Sequence, residues 1–436
     1  MILYSNARLR VMILGLGFAA VIAMAGAQRA HAEAQLLIEA STGKVLHAEN
    51  ATYPWYPASV TKLMTAYTAL RAVKDGKVKL DTLLTVTRNA TAQQPTKMGF
   101  TIGTRVTLDN ALKMIMVKSA NDVSVTIAEG VGGSIEGFAD MMNANARRLG
   151  MSQTNYVNPN GLPAENQVTS ARDLAILARA LIREMPEYDS YWHISAIRYG
   201  KRVMRNYNSL IDRYPGADGM KTGFICASGF NLVASASRNG RRLIAVVLGA
   251  YSSGVRAQKA AQLLERGFNS GGLSWLTPSL GSVDALVPVD AAPPNLRDEM
   301  CGPHRRKPPA EDNDEDEETI ATGSDSGSPR AMMLSSLKPS EGKFVLGSAI
   351  INAEPIRVFT GPPGNPDKEQ TVAAKPKRGK KKAVAGTSDK PAAEKAAPLE
   401  ATPKEAKSKE SKPTEAKPKE AKPKESKKKS KVSTAQ

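Results

Sequence analysis

The stretch Ser59-Val60-Thr61-Lys62 places a hydroxyl and an amine three positions apart, at the start of a segment whose apolar residues recur at helical spacing. In a helix over residues 59–73, the two side chains lie one turn apart on the same face. The serine hydroxyl is a weak nucleophile at neutral pH, and a neighbouring amine can take its proton. The stretch therefore predicts a helix that begins at a nucleophile, Ser59, with Lys62 as its base.

Two further motifs follow in order, Ser119-Ala120-Asn121 and Lys221-Thr222-Gly223. Each of the three motifs has an ordinary structural explanation when it is considered alone. A serine or asparagine often caps a helix, and Lys-Thr-Gly is compatible with a turn. Their order and their flanking sequences favour a single active site instead.

Together the motifs resemble the penicillin-binding-protein and serine β-lactamase superfamily, in which Ser-x-x-Lys and Lys-Thr-Gly elements recur. Over about residues 34–272 the sequence is similar to the low-molecular-mass D-alanyl-D-alanine carboxypeptidases. The stretches that carry this likeness are 41–46, 57–65, 170–173, 218–223 and 229–236. The resemblance implies an α+β fold of the β-lactamase/transpeptidase type, with an antiparallel sheet flanked by helices and a mostly helical subdomain.

The resemblance also implies catalytic roles. Ser59 is the nucleophile and forms the acyl ester, and Lys62 is the general base. Burial and a nearby cation, Lys221, both favour loss of the Lys62 proton. Ser119 relays the proton to the departing amine, and Asn121 holds the substrate amide and orients Lys62.

A second set of residues is implied to bind substrate. Lys221 and Thr222 face the substrate from an edge strand, and Gly223 lets its backbone approach closely. The backbone amide of Phe224 completes an oxyanion hole with the start of the Ser59 helix. The family places an arginine about 35 residues after the Lys-Thr-Gly lysine to bind the terminal carboxylate. Arg256 stands at that spacing, and a forked guanidinium suits a carboxylate.

The activity implied is removal of the terminal D-alanine from peptidoglycan pentapeptide stems, with β-lactam antibiotics acylating the same serine. A D,D-endopeptidase that cleaves peptidoglycan crosslinks uses the same residues and remains an alternative. A β-lactamase needs a deacylating base, for which Glu165 is a candidate, but residues 158–163 fit the carboxypeptidase loop better. A wall-binding scaffold without catalysis is opposed by the intact Ser59, Lys62 and Lys221.

The chain begins with a stretch typical of a secretory signal peptide, predicted over residues 1–32. Arg8 and Arg10 precede an apolar run over 11–27, and small residues follow at a cleavage-site position. A transmembrane anchor is the alternative, but the run is short for spanning a bilayer. Export to the periplasm or cell envelope follows from this prediction.

The catalytic domain is predicted over residues 33–272. A linker over 273–370 follows, with an acidic run at 311–318 and a short strand-like pattern at 343–359. The β-rich second domain and the C-terminal amphipathic helix that usually occur in the family are not visible in the sequence.

Residues 371–436 form a basic tail with 20 Lys/Arg and eight Asp/Glu, within a chain whose net charge is +18. The tail contains no aromatic residue and repeats Pro-Lys-Glu-Ala-Lys units, so its composition predicts disorder. It is either a solvated tail or an electrostatic tether to acidic envelope polymers or anionic membrane. Nucleic acid is not an expected partner, because stacking aromatic residues do not accompany the lysines.

The cysteines and histidines carry no predicted site. A bridge between Cys226 and Cys301 is not expected, because Cys301 lies in a stretch without a core pattern. Cys226 is expected to be a buried structural thiol. The four histidines lack paired spacing, so neither a metal nor another cofactor is expected.

The coarse secondary structure supports the α+β prediction. Hydrophobic periodicity predicts further helices at 108–117, 121–128, 135–149, 171–182 and 255–268, and strands at 36–39, 45–48, 191–199, 230–237 and 242–250. Strands at both ends with helices between them predict that the two ends of the domain share one sheet.

Overall fold

The computed structural model describes residues 33–270, 279–303, 346–347 and 353–362. The chain divides into two units, Met1–Ala374 and Lys375–Gln436, and every described residue belongs to the first. The predicted signal peptide and basic tail lie outside the described residues. Within the part that is described, no helix is both long enough and apolar enough to cross a membrane.

Ten strands occur in the described residues, and five of them form a central sheet. In chain order they are β1 (Ala34–Glu39), β2 (Val45–Glu49), β3 (Leu83–Thr85), β4 (Arg105–Thr107), β5 (Ala196–Tyr199), β6 (Arg202–Arg205), β7 (Ala217–Ile225), β8 (Gly229–Arg238), β9 (Arg241–Ala250) and β10 (Ile356–Arg357).

The central sheet is antiparallel throughout and has the order β2-β1-β9-β8-β7. β1, from the start of the domain, pairs with β9, from its end, so that Ala34 lies opposite Leu248. The prediction that both ends of the domain share one sheet is therefore confirmed. β7 is an edge strand, so one side of its backbone is available to pair with another chain.

Each predicted helix has a counterpart in the structure. In chain order the α-helices are α1 (Lys62–Lys74), α2 (Arg88–Ala92), α3 (Leu108–Val117), α4 (Asn121–Gly132), α5 (Ile135–Leu149), α6 (Ala171–Glu184), α7 (Leu210–Arg213), α8 (Ser253–Asn269) and α9 (Arg297–Cys301).

Helices cover both faces of the sheet, because its inner strands are apolar on both sides. Along β9, Leu243 and Val247 belong to the core under α8, whereas Ile244 and Val246 belong to the larger core under the other long helices. Alternate residues of a strand point to opposite faces, so this unbroken apolar run fills two cores at once. The predicted α+β class is confirmed.

The strand predicted over residues 191–199 is shorter than expected. Residues Pro186–Trp192 form a 3-10 helix, which a proline can begin without losing a hydrogen bond, and β5 starts only at Ala196. β5 pairs with β6 and, in parallel, with β10. Of the strand-like pattern predicted at 343–359, residues 346–347 and 353–359 are described, and they contain the two-residue strand β10.

Within the predicted linker, residues 279–303 pack against the domain. The amide of Val45 donates to the carbonyl of Gly281, and the amide of Val283 donates to the carbonyl of Gly43, each at 2.9 Å. Such main-chain bonds do not depend on side-chain identity, so an apolar pattern cannot reveal them.

The expectation that the cysteines stay unbridged is wrong. Cys226 and Cys301 form a disulfide across 75 residues of sequence, with their Cα atoms 5.7 Å apart. The Leu296 amide donates to the Ala227 carbonyl at 3.0 Å, and Met300 is buried against the domain. These two contacts bring α9 to the turn between β7 and β8, where Cys226 lies.

Candidate active site

Ser59 lies in a tight turn at the start of α1. Residues Ala58–Thr61 form a 3-10 helix and α1 begins at Lys62, whereas the sequence predicted an α-helix from Ser59. Short 3-10 turns are common at helix N-termini. Ala58 has φ +48°, a left-handed conformation that is strained for a residue with a side chain. Ser59 is half-buried in this turn, while its neighbours on both sides are buried.

Lys62 is fully buried and its amine has three polar neighbours. Nζ lies 2.9 Å from Ser59 Oγ, 2.8 Å from Asn121 Oδ1 and 2.7 Å from the Asn160 carbonyl oxygen. The predicted nucleophile and base are thus within hydrogen-bonding distance. A protonated lysine has three donors, and here each of them has an acceptor.

Asn121 is fixed at the N-terminus of α4. Its side-chain amide donates to the carbonyls of Gln94 and Pro95 at 2.9 and 3.1 Å, which leaves Oδ1 directed at Lys62. This arrangement fits the predicted role of orienting Lys62. Both N–H groups are engaged within the chain, so the geometry gives less support to the predicted contact with the substrate amide.

Ser119 is completely buried and has φ +58°, again in the left-handed region. Its carbonyl accepts a hydrogen bond from Thr96 Oγ1 at 2.8 Å. Its hydroxyl, however, makes no hydrogen bond with the described part of the chain. A buried unpaired hydroxyl costs free energy, which makes it a candidate to contact substrate.

The Lys221-Thr222-Gly223 motif lies on edge strand β7, beside the turn that carries Ser59. Lys221 and Thr222 are buried, and Lys221 Nζ donates to the Thr222 carbonyl at 2.8 Å. Thr222 Oγ1 has no hydrogen-bond partner among the described residues. A Cβ on Gly223 would lie 2.7 Å from the amide nitrogen of Ser59, so only glycine lets the strand pass this close.

Phe224 follows Gly223 on β7 and is half-buried. Its ring packs on Phe230 with the centroids 4.4 Å apart, and the two residues are also partners in the β7–β8 ladder. The aromatic pair holds this end of the edge strand in place. The proposed donor, the Phe224 amide, therefore belongs to a well-packed segment near the Ser59 turn.

Arg256 is buried near the start of α8. Its guanidinium donates to the carbonyls of Asn231 and Tyr207 at 3.3 and 3.4 Å and lies over the Phe230 ring. The contacts with Asn231 and Phe230 hold the cation against β8. Tyr207 in turn accepts a hydrogen bond from Lys118, the residue before Ser119. The predicted carboxylate clamp is thus linked to the Ser119 motif.

The sequence did not predict the roles of two asparagines in the site, Asn160 and Asn231. Asn160 supplies a main-chain carbonyl to Lys62, and Asn231 donates from its side chain to the carbonyls of Tyr56 and Pro57 at 3.0 and 3.2 Å. Asn231 thereby holds the segment that leads into the Ser59 turn. The signals available were a turn-forming Asn-Pro-Asn-Gly run at 158–161 and a polar residue inside the otherwise apolar β8.

The Ser170–Asp173 motif holds the segment at residues 153–154, which leads towards the loop that carries Asn160. Ser170 caps α6, and the buried Asp173 carboxylate accepts hydrogen bonds from the Gln153 amide and the Thr154 hydroxyl, both at 2.8 Å. Burial raises the pKa of Asp173, while these hydrogen bonds and the adjacent Arg172 act in the opposite direction. The contacts of this motif are therefore structural: a helix cap and an anchor for residues 153–154.

Comparison with known proteins adds independent information. A family model described as D-alanyl-D-alanine carboxypeptidase, peptidase S11, matches residues 22–252, more than half of the chain. D-alanyl-D-alanine carboxypeptidase DacC of Escherichia coli (strain K12) is 37% identical over 244 residues, which are 54% of this chain and 61% of that protein. The matches span 61 to 63% of the length of three curated relatives.

Solved structures of penicillin-binding proteins are also similar to this chain. Penicillin binding protein 6B from Escherichia coli superposes with a TM-score of 0.52 at 36% identity, covering 55% of this chain and 78% of that one. Penicillin-binding protein D2 from Listeria monocytogenes, in its cefotaxime-bound form, gives 0.50 at 28% identity, covering 54% and 96%. With the family model and the geometry in agreement, the chain belongs to the D-alanyl-D-alanine carboxypeptidase family, peptidase S11.

Proposed function

We propose that the chain is a serine D,D-carboxypeptidase that releases the terminal D-alanine of peptidoglycan pentapeptides through an acyl-enzyme on Ser59. One observation carries the proposal: the Lys62 amine lies 2.9 Å from Ser59 Oγ while Asn121 and Asn160 hold it from two other directions. Membership of the peptidase S11 family supports it.

The contacts of Lys62 suit a general base. A neutral amine has two N–H groups and one lone pair. The oxygens of Asn121 and Asn160 are acceptors that can take the two N–H groups, which leaves the lone pair for the Ser59 hydroxyl. After proton transfer the ammonium donates to all three oxygens. Both protonation states are therefore satisfied without any movement of the side chain.

Attack by Ser59 Oγ converts the substrate carbonyl into an oxyanion. In our proposal the backbone amides of Ser59 and Phe224 stabilise it. The close approach of Gly223 to the Ser59 amide supports this pairing, because it brings β7 against the turn that carries the nucleophile.

The edge of β7 is the proposed binding surface for the substrate backbone. A peptide that adds to this edge as an extra strand gains main-chain hydrogen bonds without any rearrangement of the sheet. Lys221, Thr222 and Arg256 bind its terminal carboxylate, with Lys221 adding electrostatic stabilisation. The buried and unpartnered Thr222 hydroxyl supports this assignment.

The remaining steps return the proton and release the acyl group. The Ser119 hydroxyl passes the proton from Lys62 to the nitrogen of the departing D-alanine, so that the amine leaves neutral. Water then attacks the ester on Ser59 while Lys62 accepts a proton from it. Lys62 returns this proton to Ser59 Oγ as the ester bond breaks, and the shortened peptide leaves. The unpartnered Ser119 hydroxyl supports the relay, because it keeps both its donor and its acceptor capacity for these groups.

Two further features belong to the proposal. β-Lactams acylate Ser59, as suggested by the cefotaxime-bound relative. The enzyme works in the cell envelope, which the Cys226–Cys301 disulfide supports, since disulfides persist mainly in oxidising compartments.

The basic tail at 371–436 is proposed to tether the catalytic domain, residues 33–272, to acidic envelope polymers or anionic membrane. The support is the charge of the tail, which has 20 Lys/Arg and eight Asp/Glu. Cosedimentation with purified cell walls should be lost when the tail is deleted, and the difference between the two proteins should grow as salt is lowered. Equal cosedimentation would contradict the tether.

The central test is Ser59→Ala, with Ser152→Ala as a matched control at an exposed serine. We expect Ser59→Ala to abolish D-alanine release from a pentapeptide, measured by mass spectrometry, and to abolish labelling by a fluorescent penicillin. Ser152→Ala should retain both activities. Undiminished release of D-alanine by the Ser59→Ala variant would contradict the proposal.

Two rival activities are separated in the same assay. A crosslinked muropeptide dimer converted to monomers faster than the pentapeptide loses D-alanine would favour the endopeptidase. Rapid turnover of penicillin, in place of a stable label, would favour the β-lactamase.

A further inference from the structure

The small sheet of β10, β5 and β6 packs one face against the core and turns the other outwards. Ile197 and Met204 lie opposite each other in the β5–β6 ladder, and both belong to the larger core. Alternate residues of a strand point to opposite faces. Arg198, next to Ile197, therefore lies on the outer face, as do Val203 and Arg205 on either side of Met204.

β10 adds a third arginine to this outer face. Arg357 lies opposite Arg198 in the parallel ladder, so the two side chains share a face. The amide of Val358 donates to the Arg198 carbonyl at 2.9 Å, and the Val358 side chain is fully buried, which fixes the position of β10. The outer surface formed by Arg198, Val203, Arg205 and Arg357 is called here the arginine face.

The arginine face has few acidic partners among the described residues. Glu354 pairs with Arg198 at 3.3 Å. Arg205 and Arg357 are exposed and make no hydrogen bond or ion pair with the described part of the chain. Arg198 Nε is also buried without a hydrogen-bond partner in that part. Like charges directly opposite each other on a sheet are destabilising, so this arrangement favours an external anion.

The surroundings of the arginine face increase its positive charge. Lys201 and Arg202 are exposed at the end of the β5–β6 hairpin. One further carboxylate, Asp212, lies near Arg205. Burial raises the pKa of Asp212, and the charges of Arg205 and Arg213 oppose that rise. The cations of this surface thus outnumber its carboxylates, and the surface attracts anions.

The exposed valine of the arginine face indicates which anion fits. Arginine binds phosphate groups through two parallel hydrogen bonds. Val203 is 51% exposed and lies directly opposite Arg198. A soluble polyanion gains nothing from this apolar side chain. A phospholipid bilayer offers phosphates to the arginines and an apolar boundary to the valine, so it matches both parts of the surface.

We propose that the arginine face docks on an anionic phospholipid bilayer, with the three guanidinium groups binding lipid phosphates and Val203 entering the boundary between headgroups and acyl chains. This surface goes beyond the proposed function, since it uses none of the active-site residues. It also consists of residues other than those of the basic tail at 371–436.

The test measures cosedimentation of the full chain with vesicles of equimolar phosphatidylcholine and phosphatidylglycerol. In the triple variant Arg198→Gln/Arg205→Gln/Arg357→Gln we expect vesicle binding at low salt to fall by about 100-fold, because each cation near an anionic surface contributes about fivefold. The single variants Arg205→Gln and Arg357→Gln should each lose about fivefold. They keep the test available if the triple variant does not fold.

The matched control is the triple variant Lys79→Gln/Arg88→Gln/Arg147→Gln, at three exposed positions on other elements. It loses the same net charge and keeps the same basic tail. It should bind the vesicles within about threefold of the wild type, because its substitutions lie outside the arginine face. Melting temperatures verify that the variants fold, and D-alanine release from a soluble pentapeptide should be unchanged in both triple variants.

A second measurement reports contact of the valine with lipid. Val203→Trp adds a tryptophan at the centre of the arginine face, and vesicles with brominated acyl chains should quench its fluorescence. Val287→Trp is the control, because Val287 is 78% exposed and lies in the segment over residues 279–303. The tryptophan added there should not be quenched.

The outcomes separate this surface from the other proposals. Equal vesicle binding by the two triple variants, or no quenching in Val203→Trp, would overturn the docking surface. Loss of binding to purified cell walls with unchanged binding to vesicles would make a wall polymer the partner and would also overturn it. A wild type that binds vesicles as expected but releases no D-alanine would overturn the proposed function and leave the docking surface in place.

Discussion

Two groups of active-site residues, called here the floor and the rim, differ in whether their polar atoms have hydrogen-bond partners within the protein. The floor consists of Lys62, Asn121 and Asn160, and the Lys62 amine has an acceptor for every donor. The rim consists of Ser119 and Thr222, whose buried hydroxyls make no hydrogen bond within the described residues. The chain itself positions the floor, whereas the rim hydroxyls remain available for a ligand.

This difference has an energetic consequence. A buried polar group left without a partner costs about 1–3 kcal/mol, and a left-handed backbone such as that of Ser119 costs of the same order. A substrate that bonds to these hydroxyls removes the penalty only when it is bound. Such groups contribute to binding and catalysis, and they reduce the stability of the free protein.

The largest effect on acylation is expected from Lys62→Met, a substitution in the floor. This change removes the base and leaves two buried oxygens without a donor. We expect acylation by a fluorescent penicillin to slow by about 10²–10⁴-fold, the range for general-base catalysis. The melting temperature should also fall, because Asn121 and Asn160 lose their shared partner.

The control for that variant is Lys74→Met, at the other end of the same helix, α1. Lys74 is exposed and pairs with Glu187 at 2.9 Å. The fluorescent penicillin should acylate the Lys74→Met variant at the wild-type rate. Acylation of Lys62→Met within threefold of the wild type would mean that another group takes the Ser59 proton.

A smaller effect is expected at the rim, and it sharpens the contrast between stability and activity. Thr222→Val replaces a hydroxyl by a methyl of similar size. We expect kcat/KM for D-alanine release to fall by about 10- to 100-fold, as for a lost hydrogen bond to a charged group. The free energy of unfolding should stay the same or rise, because the removed hydroxyl had no partner.

Thr65→Val provides the matched comparison. Thr65 is as buried as Thr222, but its hydroxyl donates to the Pro159 carbonyl beneath the loop that carries Asn160. This substitution should lower the free energy of unfolding by about 1–3 kcal/mol. If urea denaturation shows both variants equally destabilised, the distinction between floor and rim does not hold.

The smallest effect on catalysis is expected at the disulfide. The double variant Cys226→Ser/Cys301→Ser frees α9 from the turn beyond Phe224. We expect its activity at 25 °C to stay within about threefold of the wild type, because Phe224 remains packed on Phe230. The free energy of unfolding should fall by about 2–4 kcal/mol, since the unfolded chain loses a crosslink.

Denaturation with and without a reducing agent checks this prediction. The reductant should destabilise the wild type and leave the double variant unchanged. An activity loss greater than tenfold in the double variant would show that the disulfide also positions the oxyanion donors.

Patterns within a single segment predicted the fold well. The apolar run of β9 and the helical periodicity of α8 each reflect burial of nearby residues, and both elements appeared where they were expected. The strand expected from residue 191 failed because a proline-initiated 3-10 helix occupies Pro186–Trp192. The bridge to Cys301 was missed because main-chain contacts, which leave no periodic signal, hold its segment in place.

The sequence by itself determined the chemical groups and their order: a serine and a lysine one turn apart, two downstream motifs, and an arginine at the spacing typical of the family. Only the tertiary structure decided which of these groups are satisfied. The Asn160 carbonyl reaches Lys62 across 98 residues of sequence, and the hydroxyls of Ser119 and Thr222 remain unpartnered within the described chain. A hydrogen bond forms only when the donor–acceptor distance is correct to within a few tenths of an ångström. The packing of the whole domain sets that distance.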